Sequence, residues 1–308
     1  MAVAEHHFRV MASATQLIVV DPATGAIEVA ERRLDQLEQR WSRFLPDSDI
    51  TRINTSHGEW VPVAPDTLTL IGTMQAASVE TAGRFDPTLM HELLVAGYTT
   101  SIEDPARVSV TIDMSCMGLS VHDVILDGPR SQVWVPPGLA LDPGGLGKGL
   151  AADLVVNELL AGGSAGALVS IGGDLFAAGR PPTPTGWQVV IEDPLDVDRD
   201  LLTMEFDGGG VATSSTLSRR WRVDGTTRHH LIDPTSRDCS TTDLAAVTVV
   251  APTGWQAEAH ATAAILAGSH GVIDYLTSNG LTGVATTLDG ARLVTDDVNG
   301  RALHEASR

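Results

Sequence analysis

The sequence predicts an α+β fold of mixed sheets with packed helices. Two observations lead there. Helix-period and strand-period segments follow one another without the regular alternation of a parallel α/β sheet. In addition, 43% of the 308 residues are hydrophobic, enough to bury a large core. A single domain over residues 1–308, or two intimately joined lobes, is expected, because no composition shift marks a boundary.

The alternating apolar residues of 8–20 predict a first strand and Asp21-Pro22-Ala23-Thr24-Gly25 a turn. Leu34, Leu37 and Trp41, at helical spacing, predict an amphipathic helix over 27–41. Ser48 or Asp49 is placed to cap a short segment through Ile53, and Asp66 to cap a helix running to about Thr81. Pro87 forces residues 82–88 into a loop, because the residue before a proline avoids helical angles. Further strands are expected at 108–112, 121–126, 132–135, 167–171, 187–192, 201–206 and 210–213. Helices are expected at 148–160, 253–266 and 270–279.

With 20 basic against 39 acidic residues, the net charge of −19 argues against a nucleic-acid partner or an anionic membrane surface. Cys116 and Cys239 cannot build a disulfide framework, and neither belongs to a Cys-x-x-Cys pair. The first 20 residues lack the apolar core of a signal peptide, and no run approaches the ~20 apolar residues of a membrane span. A soluble, cytoplasmic protein is the expectation.

The segment Leu141-Asp-Pro-Gly-Gly-Leu-Gly-Lys-Gly-Leu-Ala-Ala-Asp153 carries the most chemical information. A strand-like run that ends in glycines and a lysine and enters an Ala-rich helix is a way to bring backbone close to phosphates. It is not a P-loop: Asp142 stands where that motif needs its first glycine, and Gly149 where it needs Ser or Thr. Nor is it a dinucleotide fingerprint, since Gly145, Gly147 and Gly149 alternate without the third spacing. Four other blocks carry polar groups able to bind phosphate, metal or a ring, three of them alongside glycines or prolines. They are Phe85-Asp86-Pro87-Thr88, Ser170-Ile171-Gly172-Gly173-Asp174, Thr213-Ser214-Ser215 taken with His230-Leu231-Ile232-Asp233-Pro234, and Ala257-Glu258-Ala259-His260-Ala261-Thr262. In the last, Glu258 and Thr262 share one helix face.

Taken alone, each block also has an ordinary structural explanation. The Asp86 loop is then a turn, Asp142 and Asp153 are caps or solvated faces, and Lys148 is a solvated helix-start lysine. Glu258 and Thr262 become a half-buried polar pair, and the cysteines small core or loop residues.

In this order, however, the blocks resemble the ApbE family of FAD:protein FMN transferases, from Met11-Ala12-Ser13 to the helix around Thr262. The resemblance implies a mixed α+β fold related to T-fold domains. It also implies transfer of FMN from FAD to a Thr or Ser hydroxyl of an acceptor protein, with AMP leaving and a divalent cation, usually Mg2+, at the pyrophosphate. By the same resemblance Glu258 and Thr262 are metal ligands together with the carbonyl of Gly147, and His230 acts on the acceptor hydroxyl. FAD contacts fall to Met11, Phe85, Asp86, Asp142, Gly144, Gly145, Lys148, Asp153, Gly172, Gly173, Thr213, Ser214, Ser215 and Asp233.

Two positions depart from the family pattern. Glu258 stands where Asp is usual, and Ser215 where Gly is usual. The chemistry of the residues agrees with the resemblance. Cleaving a pyrophosphate requires charge neutralisation at the transferring phosphorus and at the leaving group, which a hard cation on oxygen ligands supplies. An imidazole near neutrality suits general-base work, and Asp233 either orients it or shapes the loop before Pro234. The alternatives are an FAD pyrophosphatase, in which water replaces the acceptor hydroxyl, and an FAD-binding protein without turnover.

Overall fold

The computed structural model describes residues 1–101, 104–110 and 118–305. The chain divides into two compact units. One comprises Met1–Arg33, Lys148–Ser218 and Thr241–Arg308; the other comprises Leu34–Gly147 and Arg219–Ser240.

The first unit is built on an eight-stranded sheet. Its spatial order is Val3–Val10, Ser13–Val20, Gly166–Ile171, Asp174–Gly179, Gly209–Ser215, Leu244–Ala251, Thr282–Thr287 and Arg292–Val294. Every neighbouring pair is antiparallel. A three-stranded sheet of Trp187–Asp193, Asp196–Phe206 and Ala302–Glu305 belongs to the same unit. Trp187, Met204 and Phe206 from the small sheet cluster with Leu175, Val211 and Val284 of the large one.

The helix Gly254–Ile265 lies on the strands Gly209–Ser215 and Leu244–Ala251. Its contact face is small: Ala257, Ala261 and Ala264 are fully buried, so few bulky side chains hold the helix away from the sheet. The helix Gly147–Ala161 meets it with no side chain between the two backbones. A Cβ on Gly254 would lie 2.6 Å from the carbonyl oxygen of Gly149, and one on Gly149 would lie 2.8 Å from the nitrogen of Trp255. Glycine at both places is therefore a steric requirement.

The second unit contains the helices Asp49–Asn54, Pro65–Glu80 and Met90–Val95. Its strands form a three-stranded sheet of Trp60–Pro62, Gln132–Trp134 and Ile125–Asp127, and two short hairpins, Arg220–Val223 with Thr226–His229 and Ile232–Asp233 with Asp238–Cys239. Leu89, Leu93, Ala96 and Ile232 form a cluster here, with Tyr98, Trp221 and Cys239 packed against it.

Several sequence expectations need correction. The strand expected over 8–20 is a hairpin of two strands. Met11 and Ala12 make its two-residue turn at φ 52° and 54°, a left-handed conformation that their identities do not announce. Asp66 does not cap its helix: Ala64 occupies the cap position because Pro65 starts the helix, and Asp66 pairs with Arg40 instead. Residues 121–126 split into a 3-10 turn, Val121–Asp123, and the strand Ile125–Asp127. Ser120 and Asp123 form a capping box that diverts the chain. Ser48 is the N-cap of Asp49–Asn54, accepting from the Thr51 N–H at 3.0 Å. Of the strand expected at 108–112, the described residues 108–110 show only an isolated bridge from Val108 to Thr100, while 111–112, like Cys116, lie outside the described residues. The strand Leu244–Ala251, buried at every position, had no sequence expectation.

The backbone contact of the two helices predicts that Gly149→Ala lowers unfolding free energy by about 1–3 kcal/mol, the usual cost of overpacking. Urea denaturation would measure it, and a change within experimental error would show that the helices separate freely.

Candidate active site

Two helix N-termini meet in the first unit, and each is capped by a carboxylate from the other. Glu258, on the helix Gly254–Ile265, accepts the Gly149 N–H through Oε2 at 2.7 Å. Asp153, on the helix Gly147–Ala161, accepts the N–H groups of Gly254 at 2.6 Å and Trp255 at 3.0 Å. These N–H groups lie in first helical turns and have no partner within their own helix. Both carboxylates are buried, with Glu258 4% and Asp153 6% exposed.

The other oxygen of Glu258 accepts from the Lys148 ammonium at 2.6 Å, and the same ammonium also contacts the carboxylate of Asp174. Asp174 opens the strand Asp174–Gly179 and accepts the Thr213 N–H at 3.2 Å. Ser214 Oγ and Thr262 Oγ1 lie 3.2 Å apart, and Thr213 Oγ1 is 2.8 Å from Thr248 Oγ1. The result is a cluster of buried and part-buried oxygens and one ammonium where the sheet meets a helix start. Burial raises the Glu258 pKa and the Lys148 charge opposes that rise.

Met11, Gly172 and Gly173 come together at one end of the large sheet. The Gly172 N–H donates to the Ala14 carbonyl at 2.8 Å, and Ser13 Oγ donates to the Met11 carbonyl at 3.2 Å. Gly172 and Gly173 both have positive φ, 62° and 94°, so the turn leading into Asp174 depends on glycine. Ser215 places its hydroxyl on the Ala245 carbonyl at 2.9 Å, a bond within the sheet.

The remaining candidates lie in the second unit. Asp86 Oδ1 accepts from the N–H of Thr88 at 2.9 Å and from its hydroxyl at 2.6 Å, while Phe85 is buried. The Asp142 N–H donates to the Pro87 carbonyl at 2.8 Å, which ties the Asp86 loop to the glycine-rich segment. The side chain of Asp142 accepts the Gly144 N–H at 2.8 Å and thus shapes the turn before Gly145 and Gly147. Asp233 accepts the Thr235 N–H at 2.8 Å, so it shapes the loop at Pro234.

The tandem histidines differ. His229 accepts the Leu231 N–H on Nδ1 at 3.3 Å, which leaves Nε2 to donate to the Ser240 carbonyl at 3.1 Å. Burial lowers its pKa, and both nitrogens serve its own loop. His230 follows it, half-buried, between the two short hairpins.

Sequence reasoning missed two residues that position these groups, Arg43 and Asn54, and gave Asp174 no role of its own. Arg43, 4% exposed, pairs with Asp142 through Nε at 3.3 Å and lies over the rings of Phe44 and Tyr98 at 4.2 and 4.7 Å. Asn54 brackets Leu141 with two hydrogen bonds, at 2.9 and 2.8 Å. Asp174 was visible only as the last residue of an Ile-Gly-Gly-Asp turn. For Arg43 and Asn54 no sequence signal existed, because their partners are 99 and 87 residues away, differences of 142 − 43 and 141 − 54.

Burial pushes the Asp153 carboxyl up to about 6 despite its two backbone hydrogen bonds. A carboxyl raised above its unfolded value of roughly 3.9 contributes stability that is complete at lower pH and lost as pH rises through about 6. Asp153→Asn should abolish that slope between roughly pH 4 and 6. It should also cost about 1–3 kcal/mol at acidic pH, because an amide oxygen cannot serve both N–H groups as well as a carboxyl does. Denaturant midpoints across that range would measure both effects, and an unchanged slope would mean that Asp153 titrates normally.

Comparison with known proteins adds an independent line. The ApbE family model matches residues 9–285. The FAD:protein FMN transferase of Escherichia coli K12 is 26% identical over 271 residues, covering 85% of this chain and 77% of that protein. Its counterpart in Treponema pallidum is 29% identical over 262 residues, 79% and 72% of the two chains. Among solved structures, the ApbE protein of Thermotoga maritima superposes with a TM-score of 0.85 at 24% identity, over 98% of this chain and all of that one. The apo flavinyl transferase ApbE of Pseudomonas stutzeri gives 0.79 at 25% identity, over 99% and 98%. With a family match that spans nearly the whole chain and a fold shared end to end, this protein belongs to the ApbE family.

Proposed function

We propose that the chain is a magnesium-dependent FAD:protein FMN transferase, which moves FMN from FAD to a Thr or Ser hydroxyl of an acceptor protein and releases AMP. The observation that carries this reading is the buried Glu258 carboxylate. It sits at a helix start beside the Thr262 and Ser214 hydroxyls, in a chain whose relatives carry that activity in their names.

The donor set suits a hard cation. Glu258 would supply a carboxylate, Thr262 a hydroxyl and Gly147 a carbonyl, all oxygens, and an ammonium already rests on that carboxylate. Among the described residues no three His, Cys, Asp or Glu side chains converge as a metal cage. When bound, such an ion would draw negative charge from the pyrophosphate and the departing AMP.

The chain's own groups do the rest. The Gly172-Gly173 turn and the segment from Gly144 to Lys148 offer backbone and ammonium for phosphate oxygens. His230, unlike His229, is the imidazole assigned to take the proton from the acceptor hydroxyl, so that the oxygen attacks the FMN phosphorus as the bond to AMP breaks.

Incubating the protein with FAD, Mg2+ and a Thr-containing acceptor, then measuring acceptor mass and released AMP, tests the reading. Acceptor mass gain by FMN is the expected result, and AMP release without that gain would identify a hydrolase. His230→Asn should retain FAD binding and cut transfer by about 10²–10⁴-fold, the usual worth of a general base, with a smaller loss at high pH. Near-normal transfer by that variant would leave His230 a loop residue. Glu258→Gln should raise the Mg2+ concentration for half-maximal rate by about tenfold or more, and an unchanged Mg2+ titration would place the ion on other residues.

A further inference from the structure

Lys148 is the only cation that touches Glu258 among the described contacts, and it also touches Asp174. The two carboxylates are 4% and 5% exposed, so without a counter-charge they would repel each other in a poorly solvated place. Their anchors are independent. Glu258 belongs to the helix Gly254–Ile265 and is held by the Gly149 N–H, while Asp174 belongs to a strand and is held by the Thr213 N–H. Lys148 reaches both through a flexible four-carbon stem, and its three N–H donors allow it to serve two carboxylates at once.

We propose that the Lys148 ammonium is the built-in counter-cation of this carboxylate pair. A divalent cation competes with it for Glu258, and Asp174 keeps hold of the lysine when it is displaced. The inference rests on the magnesium-dependent reading above and gives Asp174 a positioning role that the sequence did not assign. Its physical basis is direct. A divalent ion on Glu258 and an ammonium on the same carboxylate repel each other strongly at hydrogen-bond range in a partly desolvated site. One must withdraw, and Asp174 offers the lysine a second partner without further rearrangement.

The consequence is opposite to that expected of an ordinary supporting residue. Removing the lysine should strengthen cation binding. Titration of the full chain with Mn2+ in the absence of FAD, followed by the loss of the free-ion paramagnetic resonance signal at fixed ionic strength, reads this without relying on turnover. Lys148→Met should tighten Mn2+ binding by about tenfold or more. Asp174→Asn should weaken binding when Lys148 is present, and much less in the Lys148→Met background, since its work is to hold the lysine.

Lys148→Gln, which retains hydrogen bonding without charge, serves as a second variant, with circular dichroism confirming the fold of each. Unchanged or weaker Mn2+ binding in folded Lys148 variants, with the wild type binding normally, overturns the competition and leaves the transferase reading intact. Equal weakening by Asp174→Asn in both backgrounds overturns the role given to Asp174. Failure of wild type and both Lys148 variants to bind Mn2+ overturns the metal assignment itself.

Discussion

The reciprocal capping of two helices by Asp153 and Glu258 is the interaction on which the first unit's chemistry depends. Each carboxylate closes the open N-terminus of the helix opposite. Each helix is thereby fixed in the place where its own side chain can reach across. The backbones of Gly149 and Gly254 touch beneath them, so the geometry leaves no slack. Two helix starts also bring two positive dipole ends together, and each faces a buried carboxyl group of the other helix. Glu258 is therefore at once part of the fold and the partner of the Lys148 ammonium.

Charge organisation follows from this. A chain with a net charge of −19 has no general affinity for anionic substrates. Any attraction for an anion would have to come from local features such as backbone N–H groups in glycine turns. Lys148, half-buried, rests on the carboxylates of Asp174 and Glu258. In the second unit Arg43 plays a comparable part for Asp142, with aromatic faces completing its surroundings.

Much of the candidate site was legible in the sequence because its parts are local. The Asp142 to Asp153 segment, the Ile-Gly-Gly-Asp turn and the Glu258 and Thr262 pair each declare themselves within a dozen residues. Fold class was legible for a similar reason, since period and turn residues are local signals. What was not legible depends on partners distant in sequence. Arg43 and Asn54 are ordinary until Asp142 and Leu141 arrive beside them. The strand Leu244–Ala251 offered only a continuous apolar run, which does not distinguish a central strand from a buried helix. Met11 and Ala12 form a turn usually made by Asn or Gly, so the first hairpin looked like one strand.

The contact between Gly149 and Gly254 bears on how such a protein can diversify. In an ordinary core, a larger side chain at one position is offset over generations by a smaller one beside it. Here each glycine faces main chain, which has nothing to trade, so neither position can drift while the helices remain where they are. Variation is left to the side chains that bridge the gap. At 258 this chain carries the longer of the two acidic residues, long enough to reach a lysine and a backbone amide at once. Descent with change in this corner of the fold is a matter of arm length over an immovable floor.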